Sequence, residues 1–178
     1  MKYLSIKKYE ILSTIFIIIL GTLLHFTYNN NIIVGIYSPI NESTWEHLKL
    51  VYYPMLITTI IGNILYKKYI PNYICIKVKG IILSMLFIVI SFYTYTGIIG
   101  NNYSIINILL FIISIIISQI YTYKLINNNY KCNNKYSILI LLLLLDLFVI
   151  FTFYTPHINL FKDPITNTYG IKKITKNL

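Results

Sequence analysis

The sequence predicts an all-α fold, a polytopic bundle of five membrane-spanning helices, and three observations carry that reading. Hydrophobic residues make up 57% of the 178 and charged residues 11%, where a soluble domain carries about a quarter charged. The apolar residues come in blocks near the roughly 20 residues that cross about 30 Å of hydrocarbon, not in the shorter alternating segments of a membrane barrel. With few exceptions the charges sit in the connections between those blocks. One integral membrane domain over 1–178 is expected.

The spans fall at approximately 11–28, 48–66, 81–99, 105–123 and 137–155. The first lacks the small-residue cleavage pattern of a signal peptide, since Leu24-His25-Phe26-Thr27-Tyr28 is too bulky. An outer connection, 29–44, opens on an Asn run. Its apolar centre, Ile32 to Tyr37, is expected to lie in the interface or dip towards the bilayer. Ser43-Thr44-Trp45-Glu46 then has the form of a capping box, with the Ser43 hydroxyl on the Glu46 amide and the Glu46 carboxylate on the Ser43 amide. Lys49 shares the helical face of Glu46, which predicts an ion pair or a snorkelling lysine. Trp45 is expected to anchor the second span at the membrane boundary, and Pro54 to kink it. Gln119 is expected to pack against a polar neighbour.

The formal charge of +10 does not imply nucleic acid. Every basic residue is Lys, and Lys2, Lys7, Lys8, Lys67, Lys68, Lys77, Lys79, Lys124, Lys131 and Lys135 alternate with Lys-free connections at 29–44 and 100–104. The positive-inside rule then places the N-terminus in the cytoplasm and the C-terminal tail, 156–178, outside, in a multi-pass cell-membrane protein. Lys172, Lys173 and Lys176 oppose this weakly. Cys75 and Cys132 fall on the cytoplasmic side, where thiols stay reduced.

All three histidines and three of the five acidic residues gather at the outer ends of the spans. His25 ends the first, Glu42, Glu46 and His47 open the second, and His157 and Asp163 follow the last. In the tail, Pro156 and Pro164 stiffen the backbone and Leu160 and Phe161 fold it back, which brings His157 and Asp163 towards His25 and His47. Asn167 or Gly170 is suited to a left-handed turn. His25, His47 and His157 suit a divalent metal such as zinc, with Glu42 or Asp163 completing the shell or acting as base. No motif spacing ties these segments together. Asp146, deep in the fifth span, is costly in hydrocarbon and is expected to be protonated or hydrogen-bonded inside the bundle, to Asn63, Ser84, Ser114 or a similar group.

The words His25-Phe26-Thr27-Tyr28, Asn41-Glu42-Ser43-Thr44-Trp45-Glu46-His47 and Pro156-His157 through Asp163-Pro164 to Tyr169-Gly170 together resemble a family. It is an uncharacterised bacterial family of small polytopic membrane proteins, the domain of unknown function 6512. The resemblance covers nearly the whole chain, although Thr155 and Asn159 stand where the pattern has Pro, and Asn167 where it has Gly. It implies an integral membrane protein and no mechanism.

Three functions fit these residues. The first is an outward metal site that activates water against a lipid-linked or envelope substrate. The second is a small proton-coupled transporter using Asp146, which at five spans requires a homodimer. The third is a non-catalytic envelope accessory protein. Whether the chain is an enzyme is not legible in the sequence.

Overall fold

The computed structural model describes residues 2–171, with side chains from Ile6 onward. The described residues form helices α1 (Lys2–His25), α2 (Ile32–Tyr37), α3 (Thr44–Tyr66), α4 (Tyr73–Ile99), α5 (Ser104–Asn127) and α6 (Asn134–Phe153), then a 3-10 turn at Asn159–Phe161. Four of them, α3 to α6, are long and apolar enough to cross a membrane by length and composition. Most of the helices begin or end several residues outside the expected apolar cores. The polar ends are helical too, because a span must close its own backbone hydrogen bonds.

Helices α1, α3, α4 and α5 pack in a closed ring, in the order α1–α3–α4–α5 and back to α1. Helix α6 lies outside the ring, chiefly on α4. The core runs through Ile17, Val51, Tyr52, Met55, Val78, Ile81 and Ile115, all of them buried. Gly21 sets the approach of α1 to its neighbours, since an added Cβ would lie 2.5 Å from the Leu50 carbonyl oxygen and 2.7 Å from the Phe111 ring.

The Lys-bearing ends hold two features that the sequence concealed. Lys77 is fully buried and donates to Glu10 at 2.7 Å, to Gln119, and more distantly to Thr122. The second Glu10 oxygen accepts from Tyr73 at 3.0 Å. Lys77 is thus half of a buried ion pair rather than a free topological charge. Gln119 meets the polar neighbour expected of it.

Cys75 and Cys132 are joined as a disulfide, contrary to the expectation of free thiols. Their connections end on the same side of the bundle and are held together independently of sulfur. Asn134 accepts from the Cys75 amide at 3.0 Å and donates to the Pro71 carbonyl, and Asn72 donates to the Tyr130 carbonyl. Lys172, Lys173 and Lys176 lie outside the described residues.

Candidate functional site

At the other end of the ring, the connection between α1 and α3 folds locally before it builds anything. Asn31 caps α2 by accepting from the Ile33 amide at 2.9 Å. The carbonyls left over at the end of α2 are met from α3, Gly35 by Lys49 at 2.8 Å and Ile36 by Tyr53 at 2.8 Å. Lys49 is fully buried. Its other two protons go to Glu46 at 2.5 Å and Thr152 at 2.7 Å, so one ammonium ties α2, α3 and α6 together.

The capping box forms by half. Ser43 Oγ accepts from the Glu46 amide at 3.4 Å, as expected. The Glu46 carboxylate instead takes Lys49 and the Ile40 amide, and Asn41 accepts from the Ser43 amide. A cation one turn along the helix out-competes a neutral amide for the carboxylate. Trp45 is not an interfacial anchor either. It is buried against Phe148, Phe151 and Phe161, at ring separations of 4.9, 5.5 and 5.0 Å, because the tail folds over this helix end.

That tail is organised by Asp163. Its carboxylate accepts from the amides of Ile165 at 2.8 Å and Thr166 at 3.1 Å, inside a turn closed by the Asn167 amide on the Asp163 carbonyl. Asn167 and Gly170 both take left-handed conformations, as the sequence suggests. Asn41 reaches across to the Gly170 carbonyl at 3.2 Å. Burial raises the Asp163 carboxyl, but the Thr166 and Ile165 amides outweigh it and hold the group below the ordinary carboxylate range. A value depressed by folding stabilises fully above the unfolded range, and that stabilisation is lost as pH falls through the depressed value. Trp45, the one tryptophan, reports the event through Phe161. Acidification is therefore expected to red-shift its emission, and Asp163→Ala to produce that shift at neutral pH. An unshifted Asp163→Ala spectrum would show that the turn does not hold the tail.

His25, Glu42 and His47 meet at the mouth of the ring. One donor atom from each lies within 4.8 Å of the others, the one such group of three among the described residues. His47 Nδ1 donates to the Ser43 carbonyl at 2.9 Å and Nε2 pairs with Glu42 at 3.3 Å, so without an ion the ring carries both protons, and the Nε2 proton is the one a metal would displace. The His47 hydrogen bond is the largest influence on the Glu42 carboxyl, which lies below its ordinary range although burial opposes this. The His25 ring lies 5.2 Å from that of His47, and its Nδ1 is buried with no hydrogen-bond partner.

The three residues form the polar end of a cavity of about 280 Å³ bounded by all four ring helices. Its deeper walls are apolar and include Leu50, Ile88, Phe92, Ile108 and Phe111. Asn102 and Asn107 also line it, fixed by the Asn107 amide donating to Asn102 and by the one Tyr95 hydroxyl proton, which their side-chain oxygens share. Sequence reasoning missed these two, although an Asn one turn into an apolar span is a visible signal.

His157 lies elsewhere, exposed and with its ring 4.7 Å from that of Tyr169. Asp163 is buried in its own turn and is not one of the three donors. Asp146 is on the exposed face of α6, with no hydrogen-bond or ion-pair partner among the described residues. Ser84 and Ser114, expected to serve it, bond each other at 2.9 Å.

A family model, that of a family of unknown function (DUF6512), matches residues 1–171. No curated protein matches the chain, and no solved structure does.

Proposed function

We propose that this chain, which belongs to that family of unknown function, is a multi-pass membrane protein whose His25, Glu42 and His47 hold one divalent transition ion. The ion sits above a cavity that takes the chain of a lipid-like substrate. The observation that carries the reading is the union of the two parts. Three donors lie within 4.8 Å of one another at the polar end of a cavity whose deeper walls are apolar.

Two imidazoles and a carboxylate suit zinc and similar borderline ions, and three protein ligands leave a position for water or a substrate oxygen. The Ser43 carbonyl on His47 Nδ1 is the outer-shell partner that orients a ligating imidazole. In this assignment Glu42 is a ligand, Glu46 belongs to the Lys49 staple, Asp163 positions the tail beneath Glu42, and His157 packs on Tyr169. With α1 as a fifth span, the lysine distribution turns the site outward from the cell membrane. That orientation puts Cys75 and Cys132 on the reducing side, where disulfides are rare, and the Asn contacts hold their connections together whether or not the sulfurs are joined.

Cobalt(II) makes the reading visible. The cobalt-loaded protein is expected to show four- or five-coordinate d–d absorption that shifts with octanohydroxamate at far lower concentration than with acetohydroxamate. Ile108→Trp, which fills the cavity, is expected to keep the cobalt spectrum and abolish the preference for the longer chain. Equal response to both hydroxamates would remove the lipid-like substrate, and absence of a cobalt spectrum would remove the metal.

A further inference from the structure

Asp146 occupies a position that the bundle leaves unexplained. It lies 12 residues after Asn134 and seven before Phe153, which puts it roughly 10 Å of helix rise from the nearer end of α6. A carboxyl that deep is costly in hydrocarbon unless it is paired. Aspartate is too short to reach the interface from there, unlike lysine.

Exposed apolar side chains need no explanation on a lipid-facing helix, and α1 and α5 have many. An exposed carboxyl does. It falls within a pattern: Leu139, Leu142, Asp146, Val149 and Phe153 recur at alternating steps of three and four, the spacing of a coiled-coil seam. All but the half-buried Val149 are exposed, and Leu143 and Ile150 flank the stripe at 53% and 48% exposure. Helix α6 is also the least enclosed of the four apolar helices, with 22% of its apolar window buried.

We propose that this face of α6 is the interface of a homodimer, with Asp146 hydrogen-bonded to Asp146 of the second copy. Two copies inserted in the same direction are related by a two-fold axis along the membrane normal, so identical residues lie at identical depth. A carboxylic acid both donates and accepts, which makes two of them complementary to each other, and to nothing in lipid. A single polar residue in an apolar seam also fixes register and the number of strands. The proposal is independent of the metal site, which lies within the ring on other helices.

The test uses the full chain in proteoliposomes, fluorescently labelled and counted by single-molecule photobleaching as the lipid-to-protein ratio is raised. Wild type is expected to remain dimeric to dilutions where Asp146→Leu is monomeric, with at least a tenfold difference in dissociation constant. A tenfold change is about 1.4 kcal/mol, within the range found for interhelical hydrogen bonds in membranes. Asp146→Asn, whose amide also donates and accepts, is expected to stay near wild type. Because Asp146 is exposed and has no hydrogen-bond or ion-pair partner among the described residues, Asp146→Leu is expected to leave the bundle intact, and unchanged helical content checks this. Leu142→Cys is expected to cross-link between copies under mild oxidation and Ile116→Cys, on the exposed face of α5, is not. A monomeric wild type, a dimer indifferent to Asp146→Leu, or equal cross-linking at both positions would overturn the proposal.

Discussion

Lys77→Met is expected to destabilise the protein by about 3–5 kcal/mol, the usual cost of breaking a buried ion pair from one side. The variant leaves the Glu10 carboxylate, 4% exposed, with the Tyr73 hydroxyl as its remaining strong donor. It also leaves the Gln119 carbonyl oxygen without its ammonium. The same logic predicts recovery in the double variant Glu10→Met with Lys77→Met, because the apolar replacement removes both desolvated charges together. Unfolding by SDS in mixed micelles, followed by circular dichroism, gives the comparison. A loss below about 1 kcal/mol in the single variant would show that the pair is not closed in the folded protein.

Lys49→Met is expected to cost a similar amount, about 3–5 kcal/mol, with a different pattern. Its ammonium serves acceptors on three helices, so its loss strands the Glu46 carboxylate and the Gly35 carbonyl at once. Helix α2 is six residues long, too short to persist alone, and depends on Lys49 and Tyr53 to satisfy its last carbonyls. Amide exchange in Ile32–Tyr37 is therefore expected to rise far more than in the ring helices. Protection of α2 equal to wild type would contradict this role. The Lys49 and Lys77 sites lie at opposite ends of the bundle, so their costs should add within about 0.5 kcal/mol.

These two lysines show what the sequence could and could not disclose. Glu46 and Lys49 are three residues apart on one helical face, and their pairing is legible from that spacing. The partners that complete the staple, Gly35 and Thr152, are 14 and 103 positions from Lys49 and follow from packing alone. Lys77 and Glu10 are 67 positions apart. Lys77 looked like an ordinary end-of-span charge, because hydropathy reports how deep a residue lies and not which helix it faces.

The helices were legible for the opposite reason. A segment in hydrocarbon must satisfy its own backbone, so length and apolarity suffice to find it. The tail turn was legible from local chemistry, as Asn167 and Gly170 both accept left-handed backbone. Trp45 was misplaced because the tail that covers it arrives from more than 100 positions away, through Phe161. For the site, gathering the histidines at one end was within reach of the sequence. Selecting His25, Glu42 and His47 from that set, with His157 turned to Tyr169, needed the ring and the tail in three dimensions.

The most direct test of the metal assignment is calorimetric titration of zinc into the purified, chelator-stripped protein, wild type beside His25→Ala, His47→Ala and His157→Ala. One ion per chain in wild type and His157→Ala, with binding lost in His25→Ala and His47→Ala, is the result that the geometry predicts. No zinc bound by wild type at neutral pH, or binding lost in His157→Ala and kept in His25→Ala, would contradict it.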